Sequence, residues 1–302
     1  MIVVAGESLI DIVRTPAGET SEHVGGAPLT VATGLARLDV PAVLLTELGP
    51  DAHAALIRTR AQADGLEIEA SAVARTATAT ARLDDLGAAT YDFDITWTLP
   101  ATELPPCDAL HVGALGSLLE PGRDTVWDLV DQAYARAVPV SYDPNIRPAF
   151  VEDAEQMWRD VEALAGRSDV VKLSDQDIDA LHPGADATLI ARSLLGGERT
   201  SLVVLTRGPA GATAYTENAE VTVPAAPVEV VDTVGAGDAF TAAMLAVLFE
   251  QGAFGAYGAG LPDDETTLRR LLVAASSAAA ISCGRRGAEP ATRSELPPDW
   301  PG

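Results

Sequence analysis

Two glycines, a small residue and a carboxylate stand together at Gly235-Ala236-Gly237-Asp238, where an apolar run changes its period. Upstream, Val228, Val230 and Val231 read as extended chain. Downstream, Ala239 to Phe249 reads as a helix with bulk at Phe240, Met244, Leu245 and Leu248. The amides of Gly235, Ala236 and Gly237 then crowd a helix N-terminus, whose unpaired donors and partial positive charge suit an anion. Asp238 falls in the first turn, where a carboxylate repels a bound phosphate unless it has a chemical task. The fitting task is to take a proton from a hydroxyl that attacks phosphorus. Asp is also favoured in first turns and Gly in the turns before helices, so a bare Gly-x-Gly-Asp describes a capped helix equally well.

The elements that must position this stretch alternate. Ile2–Val4, Val43–Leu45, Ala109–Val112, Val138–Ser141, Val170–Leu173 and Leu202–Thr206 read as strands. Helical patterns fall between them at Pro28–Leu38, Ala52–Ala63, Arg123–Ala137 and Ala154–Ala165, and a last helix is expected at Thr267–Ser282. This is the pattern of an α/β fold with a mostly parallel sheet covered on both faces. One segment departs from it: Thr76–Leu83 and Thr90–Trp97 alternate with period two around the turn Asp84-Asp85-Leu86-Gly87, which predicts an antiparallel hairpin.

Several loops at strand ends carry polar groups. Ligands of open α/β sheets bind at the carboxyl ends of the strands, and Asp11, in Gly6-Glu7-Ser8-Leu9-Ile10-Asp11, is read as closing the first one. Gly25-Gly26-Ala27-Pro28 lets backbone approach a ligand ahead of a helix that Pro28 suits. Asp143-Pro144-Asn145-Ile146-Arg147-Pro148 places a guanidinium fork between two prolines, where it serves an anion or pairs with Asp143. Lys172-Leu173-Ser174-Asp175-Gln176-Asp177 ends another strand, and its Ser-x-x-Asp spacing also describes a helix cap. No His/Cys cluster has metal-ligand spacing.

The string Asp232-Thr233-Val234-Gly235-Ala236-Gly237-Asp238-Ala239-Phe240 closely resembles the C-terminal signature of the ribokinase-like (PfkB) carbohydrate kinases. Gly6–Asp11, Gly25–Pro28 and Asp143–Arg147 resemble the fructokinase-type branch, and the likeness covers nearly the whole chain. The resemblance implies one ribokinase-like kinase domain over residues 1–302, with lid insertions at about 12–24 and 70–99. It implies ATP-dependent phosphorylation of a sugar hydroxyl, with Asp238 as catalytic base and Gly235, Ala236 and Gly237 as anion hole. Asp11, Gly25, Gly26, Thr30 and Arg147 would face the sugar, Thr30 standing where the family carries Asn. Lys172, Ser174, Thr206, Gly208, Gly235, Gly237 and Ser276 would face ATP. Asp177 would serve Mg²⁺ indirectly, and Asp232, with Arg285–Ala288, a monovalent cation such as K⁺. The lid would cover the sugar and double as a homodimer surface.

The chain of 302 residues is 47% apolar with regular Gly/Pro punctuation, as a folded globular protein is. Its formal net charge of −24 argues against nucleic acid and anionic membrane as partners. No apolar run is long enough to cross a bilayer, and two cysteines point to a reduced, cytoplasmic setting. Among rivals, a dinucleotide-dependent dehydrogenase would want Gly-x-Gly-x-x-Gly after the first strand, where Gly6-Glu7-Ser8 stands. A sugar sensor without activity would be expected to lack Asp238. A 2-keto-3-deoxygluconate kinase stays open, with Arg147 or Arg82 as partner of the substrate carboxylate.

Overall fold

Short runs of aliphatic residues alternate with helices, and this order builds the sheet. The computed structural model describes residues 1–84, 89–255 and 260–301. Its strands are β1 (Ile2–Ala5), β2 (Leu9–Arg14), β3 (Thr20–Gly25), β4 (Ala42–Leu48), β5 (Glu67–Ala72), β6 (Ala77–Leu83), β7 (Ala89–Asp94), β8 (Ala109–Gly113), β9 (Val140–Asp143), β10 (Val170–Ser174), β11 (Leu202–Thr206), β12 (Ala212–Tyr215) and β13 (Glu220–Val223). Its helices are α1 (Ala27–Arg37), α2 (Ala52–Ala63), α3 (Gly122–Ala135), α4 (Ala154–Gly166), α5 (Asp175–Leu181), α6 (Ala187–Ser193), α7 (Ala236–Glu250) and α8 (Glu265–Cys283).

Nine strands form the main sheet in the order β13-β12-β11-β10-β9-β8-β1-β4-β5. It is parallel from β11 to β5 and antiparallel at the β12 and β13 edge. Side chains of β1 alternate between two cores. Ile2 and Val4 join α1, α2, α7 and α8 on one face, and Val3 and Ala5 join α3, α4, α5 and α6 on the other. Strands buried on both faces need continuous apolar runs; β1 supplies one, and β4 and β8 depart from it only at Thr46, Glu47 and His111. Helix α7 is buried without a break from Asp238 to Leu248, which suits a helix packed between the sheet and its neighbours.

A second sheet of four strands, β3-β2-β6-β7, stands apart from the first. The expected hairpin is therefore half of a separate sheet rather than an edge of the main one, since β6 pairs in parallel with β2. Its second strand ends at Asp94, short of the expected Trp97. Trp97 is 3% exposed and its indole donates to the Gly116 carbonyl at 2.9 Å, so burial in the main core takes it out of the strand. Of the expected turn, residues 85–87 lie outside the described residues. The small sheet is also narrower than the expected 70–99 segment, because β5 belongs to the main sheet, and it reaches back to Leu9.

Two further expectations shift. The strand expected at Val138–Ser141 is Val140–Asp143, which carries Asp143 into the sheet. The run at Val228, Val230 and Val231 joins no ladder, and the amides of Val231 and Asp232 instead donate to the Cys283 carbonyl that ends α8.

Trp97 joins the chain after the small sheet to the body, so its truncation should be costly. Trp97→Ala is expected to lower stability by about 3–5 kcal/mol in urea unfolding. A loss under about 1 kcal/mol would contradict this role.

Candidate active site

The first turn of α7 is shaped by Gly235. This residue sits in the left-handed region, at φ +73°, and a Cβ on it would lie 2.6 Å from the Ala288 Cβ. Backbone conformation and contact both require glycine here. The amides of Gly235, Gly237 and Asp238 have no acceptor among the described residues. The Ala236 amide differs from expectation, donating to the Thr233 carbonyl at 3.2 Å. Free donors at a helix N-terminus suit an anion.

Asp238 is 7% exposed, and its Oδ1 accepts from Asn145 Nδ2 at 2.9 Å. Burial, reinforced by nearby Asp143, pushes its carboxyl up to about 6, against the pull of Arg147, Lys172 and Asn145. Asn145 adopts φ +40°, which Asn tolerates better than most residues, and its Oδ1 accepts from Arg147 Nη1 at 2.5 Å. Arg147 thus reaches Asp238 through Asn145.

Below this turn lies a buried ion pair. Lys172 Nζ stands 2.9 Å from Asp143 Oδ2, with both side chains 4% exposed. Thr241, one turn along α7, donates to the same oxygen at 3.1 Å. Burial acts against the Lys172 ammonium, but Asp143 foremost, with Asp177 and Asp238, holds it above the ordinary lysine range. A Cβ on Gly237 would meet Lys172 Nζ at 3.2 Å, so the ammonium faces the turn that carries the free amides.

The other predicted residues are spread over three sides. Asp11 lies not at the end of β1 but inside β2, on the face that it shares with Ala79 and Phe93. The chain leaves the main sheet at Ala5, and Leu9 onwards pairs with β3, so the small sheet carries this acid. Burial raises the Asp11 carboxyl above its usual range, against Arg147 and His23. Gly25 lies against it: a Cβ there would fall 2.0 Å from Asp11 Oδ2. Gly26 at φ +103° packs on the Glu7 carbonyl. The Thr30 hydroxyl donates back to the Gly26 carbonyl at 3.0 Å, and its methyl group faces Gly235. Phe93 meets Phe150 at 4.9 Å between ring centroids, which seats the small sheet on the turn after Arg147. Arg82 points to the opposite face of that sheet, beside Asp92.

Ser174 and Asp177 form a reciprocal cap on α5. Asp177 Oδ2 accepts from the Ser174 amide at 2.7 Å and hydroxyl at 2.6 Å, and Oδ1 accepts from the Ile146 amide at 2.6 Å. Thr206 ends β11, and a Cβ on Gly208 would meet only open space. Ser276 is buried in α8. Asp232 accepts from the amides of Val234 at 3.0 Å and Gly287 at 2.9 Å. Burial opposes its ionisation, yet these amides hold the carboxyl below its usual range. Among the described residues, no group of three or more His, Cys, Asp or Glu could hold a metal ion. No described helix is long and apolar enough to cross a membrane.

Sequence reasoning passed over Asn145, Asp143 and Glu7 as members of the site. The signal for Asp143 was available: the only lysine of the chain sits in an apolar strand, and a buried ammonium needs a carboxylate on a neighbouring strand. Glu7 is 4% exposed and accepts from the Gly116 amide at 2.7 Å, and burial pushes its carboxyl up to about 7.

A main sheet with helices on both faces, a small covering sheet and a glycine-led helix over a buried acid define a sugar kinase of the ribokinase-like fold. Residues 1–294 match the family described as pfkB family carbohydrate kinase, and the chain belongs to that family. It is 35% identical over 261 residues to a fructokinase of Rhizobium leguminosarum bv. trifolii, covering 82% of this chain and 79% of that protein. It is 30% identical over 295 residues to a fructokinase of Salmonella typhimurium, covering 94% of each. A solved structure of fructokinase with bound ATP from Xylella fastidiosa superposes with a TM-score of 0.81 at 26% identity, over 98% of this chain and 94% of that one.

Glu7 makes stability depend on pH. Its folded pKa of about 7 lies above the ordinary 4.5, so its contribution is full below pH 4.5 and is lost as pH rises through 7. The difference in unfolding free energy between Glu7→Gln and the parent protein should shift by about 3 kcal/mol in favour of the variant from pH 4.5 to 8. A pH-independent difference would contradict the raised pKa.

Proposed function

We propose that this chain transfers the γ-phosphoryl group of ATP to a hydroxyl of a ketose, fructose foremost. The observation that carries the reading is Asp238, a buried carboxylate with a raised pKa at the start of a helix where the amides of Gly235 and Gly237 have no acceptor among the described residues. Asp238 takes the proton of the attacking hydroxyl, whose oxygen bonds to phosphorus as the bond to the leaving ADP oxygen breaks. With a pKa near 6 it is ionised at neutral pH and basic enough to accept that proton. The free amides of Gly235 and Gly237 and the Lys172 ammonium oppose the charge on the phosphoryl oxygens.

The sugar would lie between the two sheets. Asp11, Gly25 and Gly26 form its lid side, with Thr30 and Arg147 on the body side. ATP would lie along Ser174, Thr206, Gly208 and Ser276. Mg²⁺ bound with the nucleotide would neutralise the charge of its phosphates. Asp177 already accepts protein donors on both oxygens, so it would reach that metal only through water. Asp232 and the Arg285–Ala288 loop would hold a monovalent cation such as K⁺. We read residues 1–302 as one catalytic domain, the small sheet as its lid and homodimer surface, and the cytoplasm as its compartment.

Fructose as substrate is supported by the fructokinases of Rhizobium and Salmonella at 35% and 30% identity. A keto-acid substrate would need a cation; Arg147 faces the site, and Arg82 points to the other face of the small sheet. The test is kcat/KM with ATP for fructose, ribose, 2-keto-3-deoxygluconate and adenosine, alongside Asp238→Asn. Fructose is expected to lead, and the variant to lose about two to four orders of magnitude in turnover with the fold intact. A lead for the keto-acid would overturn the substrate, and a variant that keeps a tenth of turnover would overturn the base.

A further inference from the structure

The loop behind the anion site ends in a cluster of charges that the mechanism above does not use. Arg37, in the last turn of α1, donates from Nε to Asp64 at 2.8 Å and from Nη1 to Glu289 at 3.1 Å and to the Pro290 carbonyl at 2.7 Å. Arg60, near the end of α2, donates from Nε to Asp64 at 2.6 Å and also pairs with Glu289. Two arginines from two helices thus close on one carboxylate of a third segment. The charges cancel within the cluster, and Arg37 is 11% exposed there. Burial opposes the Glu289 carboxylate, but Arg60 and Arg37 outweigh it and hold it below the usual range.

What Glu289 secures is close at hand. Ala288, the residue before it, forms the wall against which only glycine fits at 235. Gly287 donates its amide to Asp232 at 2.9 Å, and the Glu289 amide in turn donates to the Gly287 carbonyl at 2.9 Å. Pro290, the residue after, lies against Gly34 of α1, where an added Cβ would meet its Cβ at 3.4 Å. The segment from Gly287 to Pro290 therefore touches both edges of the turn that carries the free amides, and its own fixed point is the arginine pair. Helix α1 joins the two sides of the site, since Gly26 caps its start on the expected sugar side and Arg37 ends it on the clamp.

We infer that Glu289 is a positioning residue for phosphoryl transfer: the Arg37–Arg60 clamp on it holds Ala288 and Gly287 in place, and these hold Gly235 and Asp232. The inference rests on the kinase reading for its readout but not on which sugar is used. A displacement of about 1 Å at a reacting centre costs on the order of a hundredfold in rate, so a loosened clamp should be visible in kinetics.

The experiment compares Glu289→Ala and Glu289→Gln with Asp169→Asn. The last removes a carboxylate from the Arg199–Asp169 pair, which lies among β9, β10 and the chain before β11. Melting temperature, kcat, and KM for ATP and for the sugar are measured for each, together with ADP affinity by calorimetry. Glu289→Ala is expected to raise KM for ATP and lower kcat by about tenfold or more, with KM for the sugar within about twofold. Glu289→Gln, which keeps an acceptor for the arginines, should recover most of that loss. Asp169→Asn should melt earlier with unchanged kinetic constants. If Glu289→Ala melts earlier but keeps parental KM for ATP, kcat and ADP affinity, the residue is only structural and the inference falls. It falls equally if the sugar KM alone moves. If the parent protein itself binds no ADP and turns over no sugar, the kinase reading fails first, which the parental measurements alone reveal.

Discussion

The buried pair of Lys172 and Asp143 is the interaction on which the site depends. Four acids, Glu7, Asp143, Asp177 and Asp238, lie buried near one another in a protein that already carries a net charge of −24. Burying so many carboxylates is costly unless cations and donors meet them. One ammonium answers Asp143, one asparagine answers Asp238, and a cap with a backbone amide answers Asp177. What remains uncompensated appears as raised pKa values at Glu7, Asp177 and Asp238. In the proposed mechanism that residue of strain on Asp238 is useful, because a base needs a pKa near the working pH.

The sheet explains why these groups meet. Strands β9 and β10 are parallel neighbours, and Asp143 at the carboxyl end of β9 meets Lys172 from the middle of β10 beneath the start of α7. The small sheet brings a different acid, Asp11, from the other side, and its Phe93 settles on Phe150 just past Arg147. Arg147 therefore lies between acids of the body and of the covering sheet, and its charge is felt at Glu7, Asp11 and Asp238. In the proposed reading the two sheets contribute opposite walls of the sugar site, with Arg147 between them.

Much of the architecture was legible because parallel strands buried on both faces leave a strong apolar signal. Leu202–Thr206 stands at the expected residues for that reason, and the helix Ala52–Ala63 does so with Asp51 capping its start. The glycine-led turn was legible too, since φ +73° at Gly235 leaves little choice of residue. Less could be read where tertiary contacts override local pattern. Trp97 fits a period-two strand but is drawn into the main core. Asp11 follows a strand in sequence, yet belongs to the next sheet. The Ala236 amide is turned inward by a short-range bond that no residue type announces. The role of Asn145 depends on its unusual backbone conformation, which the flanking prolines suggest only in hindsight.

The central claim is that burial raises the Asp238 carboxyl, and that the charge of Asp143 adds to that rise against the pull of Arg147 and Lys172. It is tested most directly by the pH dependence of kcat/KM in the parent protein and in Asp143→Asn. In the proposed mechanism the ionised carboxylate is the working form, so activity should rise with pH through a midpoint of about 6 in the parent. Removing the Asp143 charge takes away a neighbour that raises the pKa and leaves Lys172 free to favour the Asp238 carboxylate. The midpoint of the variant should therefore lie lower than that of the parent. An unchanged midpoint, or one that moves upward, would contradict the account.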